Sequence, residues 1–544
     1  MGAWHPTHVN PLAAVYRARG DWRGETIWQV FAATAARHAE CVALVDGATR
    51  VSFAELATRA EACAGSLAAL GTKAGDAVAV HLPNWWETVV ALLATARLGA
   101  VAVPVPMIAR ERELRFILQH SGARIAFVPG VVRGHDHAAA LAAVRADAPG
   151  LVHAIAVRSP GGPGLRPWDD LPAAAPPAPF EDAEAVALLM YTSGSTADPK
   201  GVLHTHETLL AEARSLGPVH EIQARDVVLM PSPLTHVSGL LHAVLIPAVH
   251  GTRAVLLERW DPAVALELIA REGVTYMVGA PTFLRDLARH PALTPEAVAS
   301  FRLFSCGGAD VDPALVREAA RHLGCTVKRV YGSTEFPTAT TTGPQDPPER
   351  RIDSDGRAIG SAEVRVVDGA DRPVAPGVEG EILARGPELF AGYHPAALDA
   401  DAFADGGWFR TGDLGTLDAD GYLRITGRRK DIIIRKGENI SAREVEEAIA
   451  THPAVAEVAV VGVPDAAAGE IVCAVVRLRA GAEAPSLAAL AAHLLAGGLS
   501  TRKLPERLEI VTDFPRAPSG KIVKRALRER LTAPDARAAS PRGG

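Results

Sequence analysis

The sequence predicts an α/β fold in which a large N-terminal domain of several subdomains is followed by a smaller, mobile α+β domain. Short apolar runs alternate with segments of helical period between residues 78 and 330, which is typical of parallel sheets flanked by helices. From Ala362 the pattern changes to short strands joined by turns, which indicates a small β subdomain. After Gly427 a helix and further apolar runs form a separate pattern.

These changes of pattern divide the chain. We expect an N-terminal domain at 1–427 and a mobile C-terminal domain at 428–532, with the boundary at Arg428–Lys430. The Pro- and Ala-rich segment 533–544 is expected to be a disordered tail.

The elements of the N-terminal domain follow in order. After a strand at 78–82, a helix is expected to begin at Asn84, with Glu87 three residues later as in a polar cap. Ligands of such folds bind at the carboxyl ends of strands. Tyr191 and Tyr331 begin loops at such ends, so both loops are expected at one cleft. Further strands are predicted at 227–230, 254–257, 274–278, 303–305 and 326–330, separated by helices such as Pro262–Arg271 and Pro313–His322.

The C-terminal domain begins with the apolar run 432–434, which predicts a strand. A helix is expected from Ser441, because Glu444 lies three residues later and could complete a capping box. Longer strands are predicted at 458–463 and 471–478.

Composition excludes several classes of protein. The formal net charge is −6 and no block of like charges occurs, so no nucleic acid partner is expected. The five scattered cysteines favour reduced thiols in a cytoplasmic protein. The stretch 227–252 lacks Asp, Glu, Lys and Arg, but its prolines and histidines argue against a membrane span. High Ala, Gly and Arg usage with few Lys suggests a bacterial source. A monomer or homodimer is expected.

Residues 191–201 form a loop rich in Gly, Ser and Thr that follows an apolar run and contains Lys200 near its end. Small residues let backbone N–H groups converge on an anion, hydroxyls donate further hydrogen bonds, and the lysine adds a charge. A Walker A loop carries Ser or Thr after Gly-Lys, whereas Gly201 follows Lys200. The loop is therefore predicted to hold nucleotide phosphates in a different way.

Four further motifs follow this loop along the chain. They are Tyr331-Gly332-Ser333-Thr334-Glu335, Phe409-Arg410-Thr411-Gly412-Asp413, Gly427-Arg428-Arg429-Lys430-Asp431 and Pro518-Ser519-Gly520-Lys521. Together with the loop they resemble the adenylate-forming (AMP-binding) superfamily of acyl- and aryl-CoA synthetases, peptide synthetase adenylation domains and luciferases. The resemblance covers nearly the whole chain. The stretches 230–236 and 503–509 are most similar to ligases of the cyclohexanecarboxylate-CoA type.

The resemblance implies an enzyme, an ATP-dependent and AMP-forming carboxylic acid–CoA ligase. A carboxylate oxygen would attack the α-phosphate of ATP, which gives acyl-AMP and pyrophosphate. The thiol of CoA would then capture the acyl group. ATP, Mg²⁺ and CoA are the implied cofactors, and a small carboxylic acid is the implied partner.

The resemblance also assigns the nucleotide site. Ala197 stands where most relatives have Gly, which would strain the loop if the position needs a positive φ. The β- and γ-phosphates would be held by Thr192, Ser193, Gly194, Ser195, Thr196 and Lys200. Around the adenine and α-phosphate, Tyr331 would stack on the base, Gly332 and Ser333 would form the turn, Thr334 would contact the α-phosphate, Glu335 would hold Mg²⁺, and Gly307, Gly308 and Ala309 would form a wall.

The C-terminal motifs receive the remaining roles. Asp413 would accept hydrogen bonds from both ribose hydroxyls, because a carboxylate offers two oxygens to a diol, and Arg428 would reach the ribose or a phosphate. Lys430 would be the hinge between two conformations. Lys521 would bridge the substrate carboxylate and the α-phosphate during adenylation. The pantetheine arm and the phosphates of CoA would pass Gly437 and Lys436.

The acyl pocket is less marked in the sequence. The resemblance places His236 at the gate between the acyl pocket and the thiol tunnel, and His242 could face the pocket. The small residues Ser238 and Gly239 suggest an entrance wide enough for a ring. A monocarboxylic acid with a ring or a medium-length apolar chain is therefore expected.

Two alternatives remain open at this stage. The same ATP motifs occur in enzymes that pass the adenylate to a carrier protein, or that activate nitrite and diazotise aromatic amines. A catalytically silent binding protein would keep the fold but not the charged residues, and Lys200, Glu335, Asp413 and Lys521 are all present.

Overall fold

The computed structural model describes residues 4–192, 199–309, 311–435, 438–465, 468–516 and 522–532. Several predictions fall outside the described residues. These are the tail at 533–544 and the site residues Ser193, Gly194, Ser195, Thr196, Ala197, Lys436, Gly437 and Lys521.

The chain divides into two compact units. The first contains Met1–Val364 and Ala384–Phe409, and the second contains Arg365–Leu383 and Arg410–Gly544. The division falls inside three strands, Glu363–Val367, Gly380–Arg385 and Trp408–Leu417. The boundary expected at Arg428–Lys430 concerns a functional hinge, and it stays a prediction.

The first unit contains two large sheets and, among its described residues, a small two-stranded sheet of Val131–Val132 and His135–Asp136. Nine strands form a sheet that is parallel except at its two edges. In spatial order they are Arg357–Ala358, Thr340–Thr341, Thr326–Tyr331, Leu303–Cys306, Tyr276–Gly279, Val227–Met230, Arg253–Leu256, Val42–Asp46 and Thr49–Ser52. Eight strands form the other sheet, in the order Tyr393–His394, Lys200–Thr205, Val186–Thr192, Val101–Pro104, Ala77–Val80, Ile125–Pro129, His153–Val157 and Leu165–Pro167.

Helices cover these sheets and bury their apolar faces in large cores. The predicted alternation of strands and helices is confirmed, and so is the α/β fold class. The α-helices of the first unit are Ala13–Arg19, Ile27–Arg37, Phe53–Ala69, Trp86–Arg97, Glu111–Ser121, His137–Val144, His206–His220, Val237–Leu240, Ile246–His250, Pro262–Glu272, Pro281–Ala288, Pro313–Leu323, Pro348–Asp353 and Asp399–Ala402.

The helix expected from Asn84 begins two residues later, at Trp86. The Asn84 side chain does not cap it. Its amide donates to the carbonyls of Met230, Ser232 and Leu257 at 2.9–3.2 Å. Asn84 follows the strand Ala77–Val80 of the eight-stranded sheet, and its side chain binds the end of Val227–Met230 in the nine-stranded sheet. A local sequence pattern cannot show such a contact.

The second unit contains the predicted C-terminal α+β fold. Its helices are Ala442–Ala450, Leu487–Ala496 and Lys524–Thr532. Ser441 caps the first of them by accepting from Glu444 N at 3.4 Å. The Glu444 carboxylate contacts Lys503 Nζ at 2.6 Å. The described sheet has the order Glu438–Ser441, Ile432–Arg435, Gly469–Leu478 and Val455–Asp465, with Arg507–Ile510 parallel to Gly469–Leu478.

The uncharged stretch 227–252 is divided among several elements. It contains the strand Val227–Met230, the helices Val237–Leu240 and Ile246–His250, and a π-helical turn at Leu241–Leu245 between them. Within the part of the chain that the structure describes, no helix is long and apolar enough to cross a bilayer.

Candidate active site

The predicted phosphate loop is held by a β-hairpin of the first unit. The strands Val186–Thr192 and Lys200–Thr205 pair antiparallel. Thr192 lies opposite Lys200 in the last pair before the loop. Tyr191 is thus still part of a strand, and the loop begins after Thr192 rather than at Tyr191. The ladder continues for two pairs beyond the apolar run, Tyr191 with Gly201 and Thr192 with Lys200. The hairpin fixes both ends of the loop, so that Lys200 has a defined position beside it.

Glu335 and Lys200 meet at the ring of Tyr393. The Tyr393 hydroxyl donates to Glu335 Oε1 at 2.7 Å, and Lys200 Nζ lies 5.0 Å from the centroid of the Tyr393 ring. Burial, with the Glu335 carboxylate beside it, raises the pKa of Tyr393. The phenol therefore stays protonated and holds one carboxylate oxygen of Glu335. Lys200 and Glu335, which are distant in the sequence, therefore both contact the side chain of Tyr393.

Thr334 is held from behind by a buried histidine. His204 Nε2 donates to the Thr334 carbonyl at 2.8 Å, and His204 Nδ1 lies 3.0 Å from Thr208 Oγ1. Burial lowers the pKa of His204 to about 4. The neutral ring therefore keeps its proton on Nε2, since a carbonyl oxygen can only accept. His204 fixes the backbone of the residue that is predicted to contact the α-phosphate.

In the turn that follows Tyr331, position 332 has space only for glycine. A Cβ on Gly332 would lie 2.0 Å from the carbonyl oxygen of Pro337. Ser333 closes the turn, because its N–H donates to the Phe336 carbonyl at 2.9 Å and its Oγ accepts from Phe336 N at 3.3 Å. The backbone of this turn is thus packed upon itself, and it carries Glu335 in a fixed direction.

The neighbouring strand ends in the predicted wall of glycines. A Cβ on Gly307 would lie 2.5 Å from Val330 Cγ1, and Gly308 has a φ of +78°. Ala309 is exposed. Gly307 therefore allows this strand end to lie close to the strand that leads into Tyr331. Tyr331 itself is 8% exposed, and its stacking on adenine stays a prediction.

His236 has a structural role in the first unit. Its Nδ1 accepts from Ser238 N at 3.4 Å and lies 3.0 Å from Ser238 Oγ, which caps the helix Val237–Leu240. Burial lowers the pKa of His236, so the ring is neutral. A Cβ on Gly239 would lie 2.0 Å from the carbonyl oxygen of Pro233. Gly239 is therefore small because backbone packs against it, so its size is not evidence for a pocket entrance, which stays a prediction.

The second unit brings together Asp413 and Arg428. These residues face each other across the antiparallel strands Trp408–Leu417 and Leu423–Arg428. Arg428 Nε lies 2.8 Å from Asp413 Oδ1, and Asp413 is 5% exposed. The predicted ribose contact of Asp413 must therefore share this carboxylate with Arg428. Lys430 is exposed and lies in a single 3₁₀ turn, Arg429–Asp431.

The described residues could bind Mg²⁺ only together with the phosphates of a bound nucleotide. Among them no group of three or more His, Cys, Asp or Glu side chains could hold a metal ion. Mg²⁺ is commonly bound by one or two carboxylates together with substrate phosphates and water. Glu335 could supply such a carboxylate, because Tyr393 occupies only its Oε1.

Glu335→Gln is expected to raise the Mg²⁺ concentration that gives half-maximal pyrophosphate formation by at least about tenfold, because a neutral amide is a poorer ligand for a hard cation. Tyr393→Phe should shift it about fivefold, since one hydrogen bond contributes about 1 kcal/mol. Magnesium titrations at saturating acid would measure both effects. A Mg²⁺ requirement that neither substitution moves would contradict the metal role of Glu335.

Sequence reasoning missed Tyr393 and His204. Neither belongs to a motif with recognisable chemistry. Tyr393 reaches the site because its short strand pairs with the Lys200 strand, with Val202 opposite Tyr393. The only local signal was the position of His204 in the strand that follows the phosphate loop.

Comparison with known proteins agrees with this geometry. The family model described as AMP-binding enzyme matches residues 31–394, and the AMP-binding enzyme C-terminal domain matches residues 444–521. The medium-chain fatty-acid–CoA ligase of Escherichia coli (strain K12) is 34% identical over 522 residues, which are 95% of this chain and 92% of that protein. The sulfoacetate–CoA ligase of Cupriavidus necator is 37% identical over 483 residues, 89% of this chain and 93% of that protein.

A solved structure extends the similarity to three dimensions. The crystal structure of ATP-bound MatB from Rhodopseudomonas palustris has a TM-score of 0.84 and 31% identity, and it covers 93% of this chain and 99% of that chain. The predictions of an enzyme and of an adenylate-forming architecture are confirmed. The finer similarity to cyclohexanecarboxylate-CoA ligases stays a prediction. The chain belongs to the AMP-binding enzyme family.

Proposed function

We propose that this protein joins a small carboxylic acid to the thiol of CoA, with ATP converted to AMP and pyrophosphate. The observation that carries the proposal is the convergence of Lys200 and Glu335 on the ring and the hydroxyl of Tyr393. A cation and a carboxylate are needed together when phosphates and their Mg²⁺ must be positioned. The ligases to which the chain is similar also favour ATP, Mg²⁺ and CoA as the cofactors.

In the first step, an oxygen of the acid forms a bond to the α-phosphorus of ATP, and the bond to pyrophosphate breaks. Such reactions depend on positioning and on neutralisation of charge more than on covalent help from the protein. Lys200 would neutralise the departing pyrophosphate, and the turn held by Gly332 and His204 would present Thr334 to the α-phosphate. Mg²⁺, held by Glu335, would neutralise phosphate charge. Lys521 would stabilise the charge that develops between the acid and the phosphate.

In the second step, the CoA sulfur bonds to the acyl carbon, the bond to AMP breaks, and the thiol proton passes to solvent. Asp413 and Arg428 would bind the ribose, Lys436 and Gly437 would serve CoA, and Lys430 would be the hinge that allows both steps. A cytoplasmic location is also part of this proposal, and the five scattered cysteines support it.

A panel of carboxylic acids tests the proposal. Pyrophosphate release that depends on the acid, with a thioester formed only when CoA is present, is the expected result. Parallel reactions with nitrite and an aminobenzoate, and with an acyl carrier protein in place of CoA, cover the alternative acceptors. Release that requires nitrite rather than an acid, or transfer to the carrier protein but not to CoA, would overturn the proposal.

A further inference from the structure

The core of the first unit contains four buried polar side chains that lack a full set of partners. Both ring nitrogens of His220, Nδ1 of His242, the hydroxyl of Tyr276 and the hydroxyl of Ser305 have no hydrogen-bond partner among the described residues. All four residues are at most 3% exposed. The ring centroids of His220 and His242 lie 6.2 Å apart, and those of His242 and Tyr276 lie 6.1 Å apart.

Some other buried polar groups of this unit do have hydrogen-bond partners. Lys328 Nζ donates to the carbonyls of Val219 and Thr342 at 2.9 and 2.7 Å. Asp226 Oδ2 accepts from Arg302 at 2.9 Å. A buried polar group without a partner destabilises the fold, because it has lost its hydrogen bonds to water. Several other buried polar atoms among the described residues also lack a partner. The rings of His220, His242 and Tyr276 differ in that they lie next to one another, so their open hydrogen-bonding capacity is concentrated in one place.

The backbone beside this group is irregular. His242 lies in the π-helical turn Leu241–Leu245, which interrupts the helical segment that begins after His236. Single π-helical turns occur frequently at functional sites. The same segment thus connects the predicted gate residue to a buried imidazole with an open ring nitrogen.

Strand register places Tyr276 and Ser305 on one face of the nine-stranded sheet. The parallel strands Tyr276–Gly279 and Leu303–Cys306 end beside Gly307, and Ser305 lies opposite Val278. Side chains two residues apart share a face, so Ser305 and Tyr276 lie on the same one. Tyr276 is three residues before the strand end, about 10 Å at 3.3 Å per residue. A ligand that enters at the carboxyl ends of the strands would meet Ser305 first and Tyr276 later.

None of the three rings is charged at neutral pH. Burial lowers the pKa of His242 to about 3, and burial together with Lys328 lowers that of His220 well below its usual value. Burial raises the pKa of Tyr276. Neutral imidazoles and a phenol can donate to and accept from an uncharged group, but they cannot neutralise a second carboxylate.

We infer that the acid substrate carries an uncharged hydrogen-bonding group, such as a hydroxyl, keto or ether oxygen, at the end remote from its carboxylate, and that Tyr276, His242 and Ser305 bind this group. The inference rests on the proposed function and narrows its substrate class. It adds a polar remote group to the expected monocarboxylic acid with a ring or a medium-length apolar chain.

Matched pairs of acids test the inference. trans-4-Hydroxycyclohexanecarboxylate and its 4-methyl isostere differ only in the remote group, as do 7-hydroxyheptanoate and octanoate. The hydroxylated member of at least one pair should have a kcat/KM at least about tenfold higher in acid-dependent pyrophosphate release. An acid without the remote hydroxyl leaves the buried polar groups unpaired. Protection against thermal unfolding by each acid provides a second measurement that does not depend on turnover.

Two variants identify the residues. Tyr276→Phe and Ser305→Ala should each reduce the preference for the hydroxylated acid severalfold, with little effect on the isostere. Tyr16→Phe is the matched control, because the buried Tyr16 hydroxyl also has no partner among the described residues but lies in another core cluster. It should leave the preference unchanged.

The outcomes separate the two proposals. Equal kcat/KM for both members of both pairs, or an equal loss for both members in Tyr276→Phe, would overturn the inference and assign these atoms to the core or to ordered water. The proposed function would survive that result. Absence of pyrophosphate release with every acid of the wider panel would instead refute the proposed function and this inference with it.

Discussion

Lys521→Ala is expected to slow acid-dependent pyrophosphate formation by about 10²–10³-fold, the loss typical when one charge-stabilising group is removed from an active site. Lys521 follows the sequence Pro518-Ser519-Gly520 in the last of the five motifs. Its predicted task is to offset the repulsion between the acid and the α-phosphate, which arises only in the first step. Thioester formation from supplied acyl-AMP should therefore remain within a few fold of wild type.

Lys524→Ala is the matched control for this experiment. It removes a lysine three residues further along, whose Nζ contacts Glu446 at 2.8 Å. Both steps should proceed at nearly the wild-type rate in this variant. If Lys521→Ala slowed adenylation and thiol transfer equally, Lys521 would have a general role in folding or binding, and its assignment to the first step would be wrong.

Gly332→Ala is expected to reduce kcat/KM for ATP by at least about 100-fold. The added Cβ would lie 2.0 Å from the Pro337 carbonyl oxygen, so the backbone of the turn has to move. The turn positions Thr334 and Glu335, and a displacement of about 1 Å in a catalytic group can cost 10²-fold in rate. ATP–pyrophosphate exchange at limiting ATP would measure the loss.

Gly343→Ala controls for the effect of adding a methyl group in the same unit. The nearest atom to a Cβ at Gly343 is Asp346 Oδ2 at 3.8 Å, an ordinary contact. This variant should exchange pyrophosphate at close to the wild-type rate. Wild-type exchange in Gly332→Ala would show that the turn accommodates the methyl group and that its packing does not hold the nucleotide residues.

Local pattern predicted much of the fold. The strands Val227–Met230 and Thr326–Tyr331 were expected at 227–230 and 326–330, because short apolar runs between helices have few other solutions in a parallel sheet. Asn84 shows where this reasoning stops. Its spacing to Glu87 suits a helix cap, yet its amide binds carbonyls that lie 146–173 residues away.

The candidate site was predicted only in part, for a related reason. Gly332 and Glu335 belong to a motif, so the sequence pointed to them directly. The Tyr393 hydroxyl that holds Glu335 is 58 residues away, and the His204 ring that holds Thr334 is 130 residues away. Such contacts depend on strand register and on packing, which no local periodicity encodes.

Small residues were the least reliable guide. Gly239 suggested an open entrance, but it is small because the Pro233 carbonyl packs against it. His242 was expected to face the acyl pocket, but Tyr276 and Ser305 gave no signal, since single polar residues inside apolar runs are usually satisfied within the core. Only the hydrogen bonds of the folded chain distinguish them from Lys328, whose ammonium donates to two carbonyls.

The central claim is that an oxygen of the acid attacks the α-phosphate of ATP and later leaves with AMP. Its most direct test uses an accepted acid labelled with ¹⁸O in its carboxylate, followed by mass spectrometry of the products after complete conversion to the thioester. We expect one ¹⁸O atom in each AMP and none in pyrophosphate. Unlabelled AMP, or label in orthophosphate or pyrophosphate, would show that the acid is activated at another phosphorus or not by ATP at all.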